Sequence, residues 1–443
     1  MLKSAIDVLK GFNPDFVKLL TGSGMVFFFR ILGALAGYAV TYLITTSYGA
    51  HTFGLFELCL TVLTILGVFG RMGLDGALVR FIPEYKEKGE FSHLRSTYKF
   101  ALSFALPISL VLAAALYLAA PTLARFFNSD YLEEGFKITA LIVPFSTWIG
   151  LNSEAFRGMK NMVAYSFYQR GTTIFIACIA ILILKIYYPQ WNHVPIVGFG
   201  IGAVILSIAA GVYAPRRILA LGQSTTPNTP FQSSIILAMA FPMLLHASMF
   251  MVMNWTDTLM IEFFYEEKDV GIYRLAFKVA TLITVAQYAI NSIAAPMFSS
   301  FKTKGDMDGL KKIVMNIGYL NILISFPIFL LILIFPKFIL EFFGEDFSGG
   351  VSPLIVLAIG SVLNALCGPV MYLLSMTGME KSARNIIVIA SVFNIAINYI
   401  LIPIYGILGA AFATSICTVL WNVLAVIKIK KEYGFISIPH PFN

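Results

Sequence analysis

Residues 25–46 read MVFFFRILGALAGYAVTYLITT, an apolar run long enough to cross a lipid bilayer that carries one full charge, Arg30. About 20 apolar residues rising 1.5 Å each span the roughly 30 Å hydrocarbon core. Arg30 follows Lys18 by twelve positions, about 18 Å along a continuous helix. A guanidinium at that depth either snorkels to the aqueous face or meets an internal polar cavity. Charge inside a membrane is costly, so its partner is a structural counter-ion or an anion that the protein handles. The charges further along the chain bear on that choice.

Of the 443 residues, 58% are hydrophobic and 12% charged, against about 25% charged in a soluble domain. Twelve long apolar runs stand at about 25–46, 54–72, 99–119, 137–156, 171–188, 194–214, 233–257, 271–296, 313–335, 353–376, 385–403 and 406–427. The first is too long for a removable signal peptide, and eleven like it follow. The pattern predicts an all-α polytopic membrane protein of twelve transmembrane helices. Ahead of them, Leu2, Ile6, Leu9 and Phe12 share one face of an expected interfacial helix.

The net charge of +8 would suit a nucleic-acid binder were it not for where the charges lie. With both termini placed inside, the cytoplasmic segments hold 23 of the 31 Lys and Arg, the outer loops five (Arg125, Lys137, Lys185, Lys268, Lys337) and the membrane runs three (Arg30, Arg274, Lys278). This asymmetry is the positive-inside pattern, and it predicts cytoplasmic N- and C-termini. No basic face is left over for nucleic acid. Cys59, Cys178, Cys367 and Cys417 all fall in apolar runs without CxxC spacing and read as small buried hydrophobes. The five histidines form no HExxH or similar cluster, so a metal enzyme is not expected. No P-loop or nucleophile elbow is present, and the chain has no visible means of using ATP.

The runs fall into two related sets of six. Tyr48-Gly-Ala-His-Thr-Phe-Gly54-Leu-Phe precedes the second run, and Tyr265-Glu-Glu-Lys-Asp-Val-Gly271-Ile-Tyr precedes the eighth. Tyr85–Arg95 (YKEKGEFSHLR) matches Phe301–Lys311 (FKTKGDMDGLK). The offsets are 217 and 216. Copies with an even number of helices are parallel repeats about an axis along the membrane normal. A linker, PRRILALGQSTTPNTPFQ at 215–232, separates them, giving an N-terminal lobe 1–222 and a C-terminal lobe 223–443. Pro107, Pro144, Pro242, Pro327 and Pro369 interrupt runs and read as ordinary kinks. Gly33-x-x-x-Gly37 and Gly198-x-x-x-Gly202 read as close packing.

Besides Arg30, the membrane runs carry Glu57, His246, Asp257, Arg274 and Lys278. Arg274 and Lys278, four apart, share a helix face. Glu57 is the repeat-mate of Arg274 and Arg30 that of His246, so polar positions recur in both halves. Residues lining a shared cavity would do this, and three cations there suit a phosphate or diphosphate. Internal pairing, Glu57 with Arg274, is the other reading. A second constellation comprises Asn254 and Asp257, then Asn394 and Asn398 four apart, then Thr414. Its hard oxygens suit Na⁺ or a relayed proton; interhelical hydrogen bonding explains them equally.

The six-plus-six repeat, the YGxxxxGLF turn and the stretch WTDTLMIEFFYEEKDVGIYRLA (255–276) resemble bacterial polysaccharide transporters. These are the Wzx-type oligosaccharide flippases of the MOP superfamily, which also holds the lipid II flippase MurJ and the multidrug MATE exporters. The resemblance covers essentially the whole chain. It implies a MATE-like, V-shaped pair of lobes around a cationic cavity in a bacterial plasma membrane. It also implies that an undecaprenyl-diphosphate-linked oligosaccharide crosses from inner to outer leaflet by alternating access, among membrane lipids and polymerase or assembly partners. No enzyme activity and no cofactor beyond Na⁺ or H⁺ are implied. Arg30 takes the kind of first-helix position where such flippases face the diphosphate, with Glu57, His246, Arg274 and Lys278 as further cavity residues. Asp257, Asn394 and Thr414 match a MurJ-like cation site, and Asn398 stands where that site has a second acid. The chain departs from MurJ in lacking its two additional C-terminal helices.

The task such a protein performs is solvation. Moving a hydroxyl into hydrocarbon without partners costs roughly 4–8 kcal/mol, and a bare diphosphate far more. Three rivals stand beside it: a MATE-like exporter of organic cations, expected to have an acidic cavity; a membrane enzyme of polysaccharide assembly, expected to carry a large outer catalytic loop; and a purely structural assembly partner, to which buried charges would be a burden.

Overall fold

The computed structural model describes residues 14–221 and 231–439. The interfacial helix expected over 2–12 and linker residues 222–230 lie outside the described residues, as do the side chains of Arg30 and His246. In order, the helices are α1 (Pro14–Arg71), α2 (Leu74–Glu87), α3 (Phe91–Phe126), α4 (Asp130–Gly158), α5 (Met162–Phe167), α6 (Arg170–Tyr187), α7 (Val194–Leu219) and α8 (Ser233–Phe264). There follow α9 (Glu267–Lys304), α10 (Met307–Ile334), α11 (Pro336–Glu341), a 3₁₀ turn over Glu345–Gly350, α12 (Val351–Leu366), α13 (Val370–Met376), α14 (Glu380–Tyr405) and α15 (Ile407–Tyr433).

Each apolar run falls on helix, the tenth on two, α12 and α13, parted at Cys367–Pro369 where Gly368 has φ 77°. The first two share α1, which breaks at Gly49 (φ 79°, ψ −175°), a conformation glycine reaches without steric cost. Among the described residues, eight helices are long and apolar enough to cross a membrane, or nine if a pair in α8 bent by 45° between Met249 and Met251 is one span. The count of twelve is not reached by this measure, for two reasons. Leu32–Arg71 counts once, and α4 and α9 fall outside the set. Those two helices carry polar residues among their apolar ones, Asn152, Ser153 and Glu154 in α4 and Arg274, Lys278, Gln287 and Asn291 in α9. The protein is nonetheless a multi-pass, all-α membrane protein.

The repeat is structural. Gly89 (φ 72°) and Gly305 (φ 70°), mates at offset 216, both turn left-handed, and α3 and α10 begin two residues later at Phe91 and Met307. Asn128 (φ 54°) and Gly344 (φ 136°) stand at the same offset. The copies differ where α1 and α2 separate at Met72 and Gly73, both with positive φ, while α9 runs unbroken to Lys304.

The described chain forms two compact units. Unit 1 holds residues up to Ile44 with Val62–Ala247, and unit 2 holds Thr45–Thr61 with Ser248 onward. These limits differ from a division at 222/223, since residues 45–61 belong to unit 2 and 233–247 to unit 1. In unit 1, α4 packs on α3, α7 and α2, and α6 on α7. Tyr98 donates to Asn152 Oδ1 at 2.6 Å across the α3–α4 contact. Of the GxxxG glycines, Gly33 meets Gly171, Gly198 meets Ile181 and Gly202 meets Thr173, while a Cβ at Gly37 would touch nothing within 4 Å.

In unit 2, α15 packs on α14 and α12, and α9 on α10 and α12, around Phe298, Leu310, Val314, Leu373 and Leu374. Large apolar side chains such as Leu118, Ile186 and Leu323 stand more than two-thirds exposed, as lipid-facing positions do. Cys59 and Cys417 are buried, whereas Cys178 and Cys367 are only partly so.

Candidate functional site

In unit 2 the signature glycines of the two repeats cross one another. A Cβ on Gly54 would lie 1.7 Å from Glu267 O, and one on Gly271 would lie 2.2 Å from Ala50 O. Ala50 and Glu267 are themselves mates at offset 217, so the contact is reciprocal, as a twofold axis through the crossing requires. The absence of side chains brings the backbones together. Three residues further along each helix, Glu57 on α1 faces Arg274 on α9.

Arg274 Nε donates to Glu57 Oε2 at 3.2 Å, and Lys278 Nζ lies 3.7 Å from Glu57 Oε1. One carboxylate therefore serves two cations, and the group carries a net charge of +1. The guanidinium also sits 4.3 Å from the centre of the Trp255 ring and 5.2 Å from that of Phe277. Lys278 Nζ lies 5.8 Å from the centre of the Phe53 ring. These π-faces hold positive charge where water is scarce. Glu57 and Arg274 side chains are 6% and 10% exposed, Lys278 31%. Arg274 Nη1 is buried without a hydrogen-bond partner among the described residues. Of the two readings left open for Glu57 and Arg274, the geometry is the ion pair, with Lys278 as its more accessible edge.

The second constellation adjoins it through Tyr273, the neighbour of Arg274 in α9. Asp257, 1% exposed, accepts hydrogen bonds from the Tyr273 hydroxyl and, at 2.8 Å, from the Thr258 amide. Thr414 Oγ1 stands 3.4 Å from Asp257 Oδ2 and 3.2 Å from Tyr273 Oη. Asn398 donates to Asn394 Oδ1 at 3.1 Å, leaving its own Oδ1 buried and unpartnered among the described residues. Asn394 and Thr414 line one cavity of about 90 Å³, with Asn254, Asn364 and Ser361. Asp257 and Thr414 are thus brought into direct contact, Asn394 lines the same cavity as Thr414, and Asn398 is hydrogen-bonded to Asn394.

Sequence reasoning missed Tyr273. A signal was present: its repeat-mate is Phe56, so the hydroxyl occurs in the second copy alone. A second cavity also went unread, about 410 Å³ in unit 1, lined by Arg71, Asp75, Glu154, Tyr168 and Gln169. Those charges look like ordinary flanking residues until α1, α4 and α6 converge.

The sequence pattern of a family described as "Polysaccharide biosynthesis protein" matches residues 19–302, and that of MatE matches 242–400. A membrane protein of Methanocaldococcus jannaschii is 22% identical over 86% of this chain and 78% of its own. The probable low-salt glycan biosynthesis flippase Agl15 of Haloferax volcanii is 28% identical over 42% of this chain and 40% of its own. Among solved structures, the lipid II flippase MurJ in an inward closed conformation superposes with a TM-score of 0.73 at 18% identity, over 93% of this chain and 87% of that one. A match over residues 19–302 spans well over half of the sequence, and the structural likeness agrees with it: the chain belongs to the polysaccharide biosynthesis protein family and has the fold of the MOP-superfamily transporters.

Proposed function

We propose that this protein moves a lipid-linked oligosaccharide from one leaflet of a membrane to the other by alternating access, driven by a cation gradient. The observation that carries the reading is the Glu57–Arg274–Lys278 group, a buried cluster of net positive charge inside an apolar helical unit. A phosphate or diphosphate head group offers the same donors more acceptor oxygens than one carboxylate does. It engages Lys278 first, the more exposed cation, and then competes with Glu57 for Arg274. Arg30 and His246 are proposed as further contacts for such an anion from the sequence alone. The carrier is defined by its chemistry, a prenyl chain ending in phosphate or diphosphate. The two sequence relatives named above are archaeal, and the bacterial undecaprenyl carrier is one member of that class. The prenyl tail stays in lipid while the glycan passes through a wet path, so no bond is made or broken.

The Asp257–Tyr273–Thr414 network is the proposed coupling site for Na⁺ or H⁺, with Asn394 and Asn398 supplying further oxygens nearby. A second reading, export of organic cations, draws on the MatE match over 242–400 and on the same buried carboxylate. One experiment addresses both. Proteoliposomes holding the full chain and a fluorescent lipid-linked oligosaccharide should show glycan reaching the far leaflet, with Arg274→Ala lowering the rate at least tenfold at equal protein content. Undiminished flipping by Arg274→Ala would remove the head-group contact. Efflux of an organic cation in the absence of flipping would favour the second reading.

A further inference from the structure

The 410 Å³ cavity of unit 1 falls in the size range of small-ligand sites, and its chemistry is unlike that of the charged cluster in unit 2. Arg71 Nε donates to Asp75 Oδ2 at 2.9 Å, and the rest of the guanidinium has no other hydrogen-bond partner among the described residues. The backbone of Gly150 makes room for it: a Cβ there would lie 3.0 Å from Arg71 Cδ and 3.1 Å from Nη1. Across the cavity Glu154 accepts from Arg157 through Oε2 at 3.2 Å, which leaves Oε1 available. The Gln169 side-chain amide has no protein partner among the described residues. The same holds for the hydroxyl of Tyr168, a residue 6% exposed, so an unused donor sits on a nearly buried side chain that lines the space.

Each carboxylate has an arginine partner, Asp75 in Arg71 of the lining and Glu154 in Arg157 just outside it, so neither acid stands uncompensated. An anion placed here would meet Asp75 and Glu154, and a cation would meet Arg71. What remains unfilled is an alternation of donors (Arg71, Tyr168) and acceptors (Glu154), with an amide that does both (Gln169). Vicinal hydroxyls, each a donor and an acceptor, answer that pattern. Tyr168 and Phe199 add apolar surface for C–H faces. We infer that unit 1 holds a binding site for a neutral sugar residue, with Arg71, Glu154 and Gln169 as its polar contacts. The inference rests on the flippase reading in one respect: it assigns the site to the glycan of the cargo, apart from the head group.

The test uses the full chain in detergent micelles, titrated calorimetrically with a panel of hexoses, N-acetylhexosamines and deoxyhexoses. Inorganic pyrophosphate serves as the competing anion. At least one sugar should saturate the protein and withstand pyrophosphate. Gln169→Ala and Glu154→Gln should each weaken it roughly tenfold, as removing a hydrogen-bonding partner in a confined site does. Thermal unfolding identifies a variant that fails to fold, and Gln169→Ala, at a partly exposed helix cap, remains as the decisive one. Absence of saturation by every sugar, displacement by pyrophosphate, or wild-type affinity in a folded Gln169→Ala overturns the site. The leaflet assay on unaltered protein separates the two proposals. Flipping without sugar binding sinks the site alone; sugar binding lost in Gln169→Ala, with no flipping, sinks the flippase reading alone.

Discussion

Glu57 is shared by two cations in a place that water barely reaches, so its removal takes from Arg274 and Lys278 the carboxylate they share. Breaking a buried pair in this way costs about 3–5 kcal/mol. Glu57→Ala should therefore lower the thermal midpoint in detergent sharply, and a compensating Arg274→Leu in the same chain should recover much of the loss. Recovery absent from the double variant would mean that Arg274 stabilises through Trp255 and Phe277 more than through Glu57. At the other polar site, Tyr273→Phe restores the residue found at the mate position, Phe56. It should preserve folding and blunt the response of transport to a Na⁺ or pH gradient, as should Asp257→Asn. Gradient responses identical to wild type in both variants would retire Asp257 as a coupling group. The charges of the ion pair were legible in the sequence because offset 217 pairs acid with base. The partners of Asp257 were less so: Thr414 was visible as a hydroxyl, but its contact with Asp257 needs helices 157 residues apart in the chain to meet.

At the level of elements, the α1–α9 crossing depends on two hydrogens where other residues carry side chains. A methyl on Gly54 or Gly271 would enter backbone carbonyl space, and overpacking of this kind costs about 1–3 kcal/mol or more. Gly271→Ala should accordingly destabilise the protein far more than Gly37→Ala, since a Cβ at Gly37 meets nothing. Equal midpoints for the two would show that the helices part easily. Helix existence was readable throughout, because twelve long apolar runs have few alternatives in a membrane. What escaped reading was which helices carry a polar interior face. Arg71 and Asp75, four apart across the Met72–Gly73 break, look like the flanking charges of any membrane helix. Their role emerges once Gly150 yields its side-chain volume to the guanidinium.

Across the whole molecule, the distribution of lysine and arginine makes a claim about orientation that labelling can check. In a cysteine-free background, Lys337→Cys should react with a membrane-impermeant thiol reagent added outside intact cells, and Lys88→Cys only after permeabilisation. The opposite pattern would invert the topology. The doubling of the chain has a further consequence at the glycine crossing. Had two separate, identical subunits met at that point, position 57 of each would have faced its own copy, acid against acid or base against base, in a setting where like charges strongly repel. Joining both copies in a single polypeptide frees the facing positions to diverge, and an acid opposite a base is an arrangement that no homodimer of half-length chains could adopt.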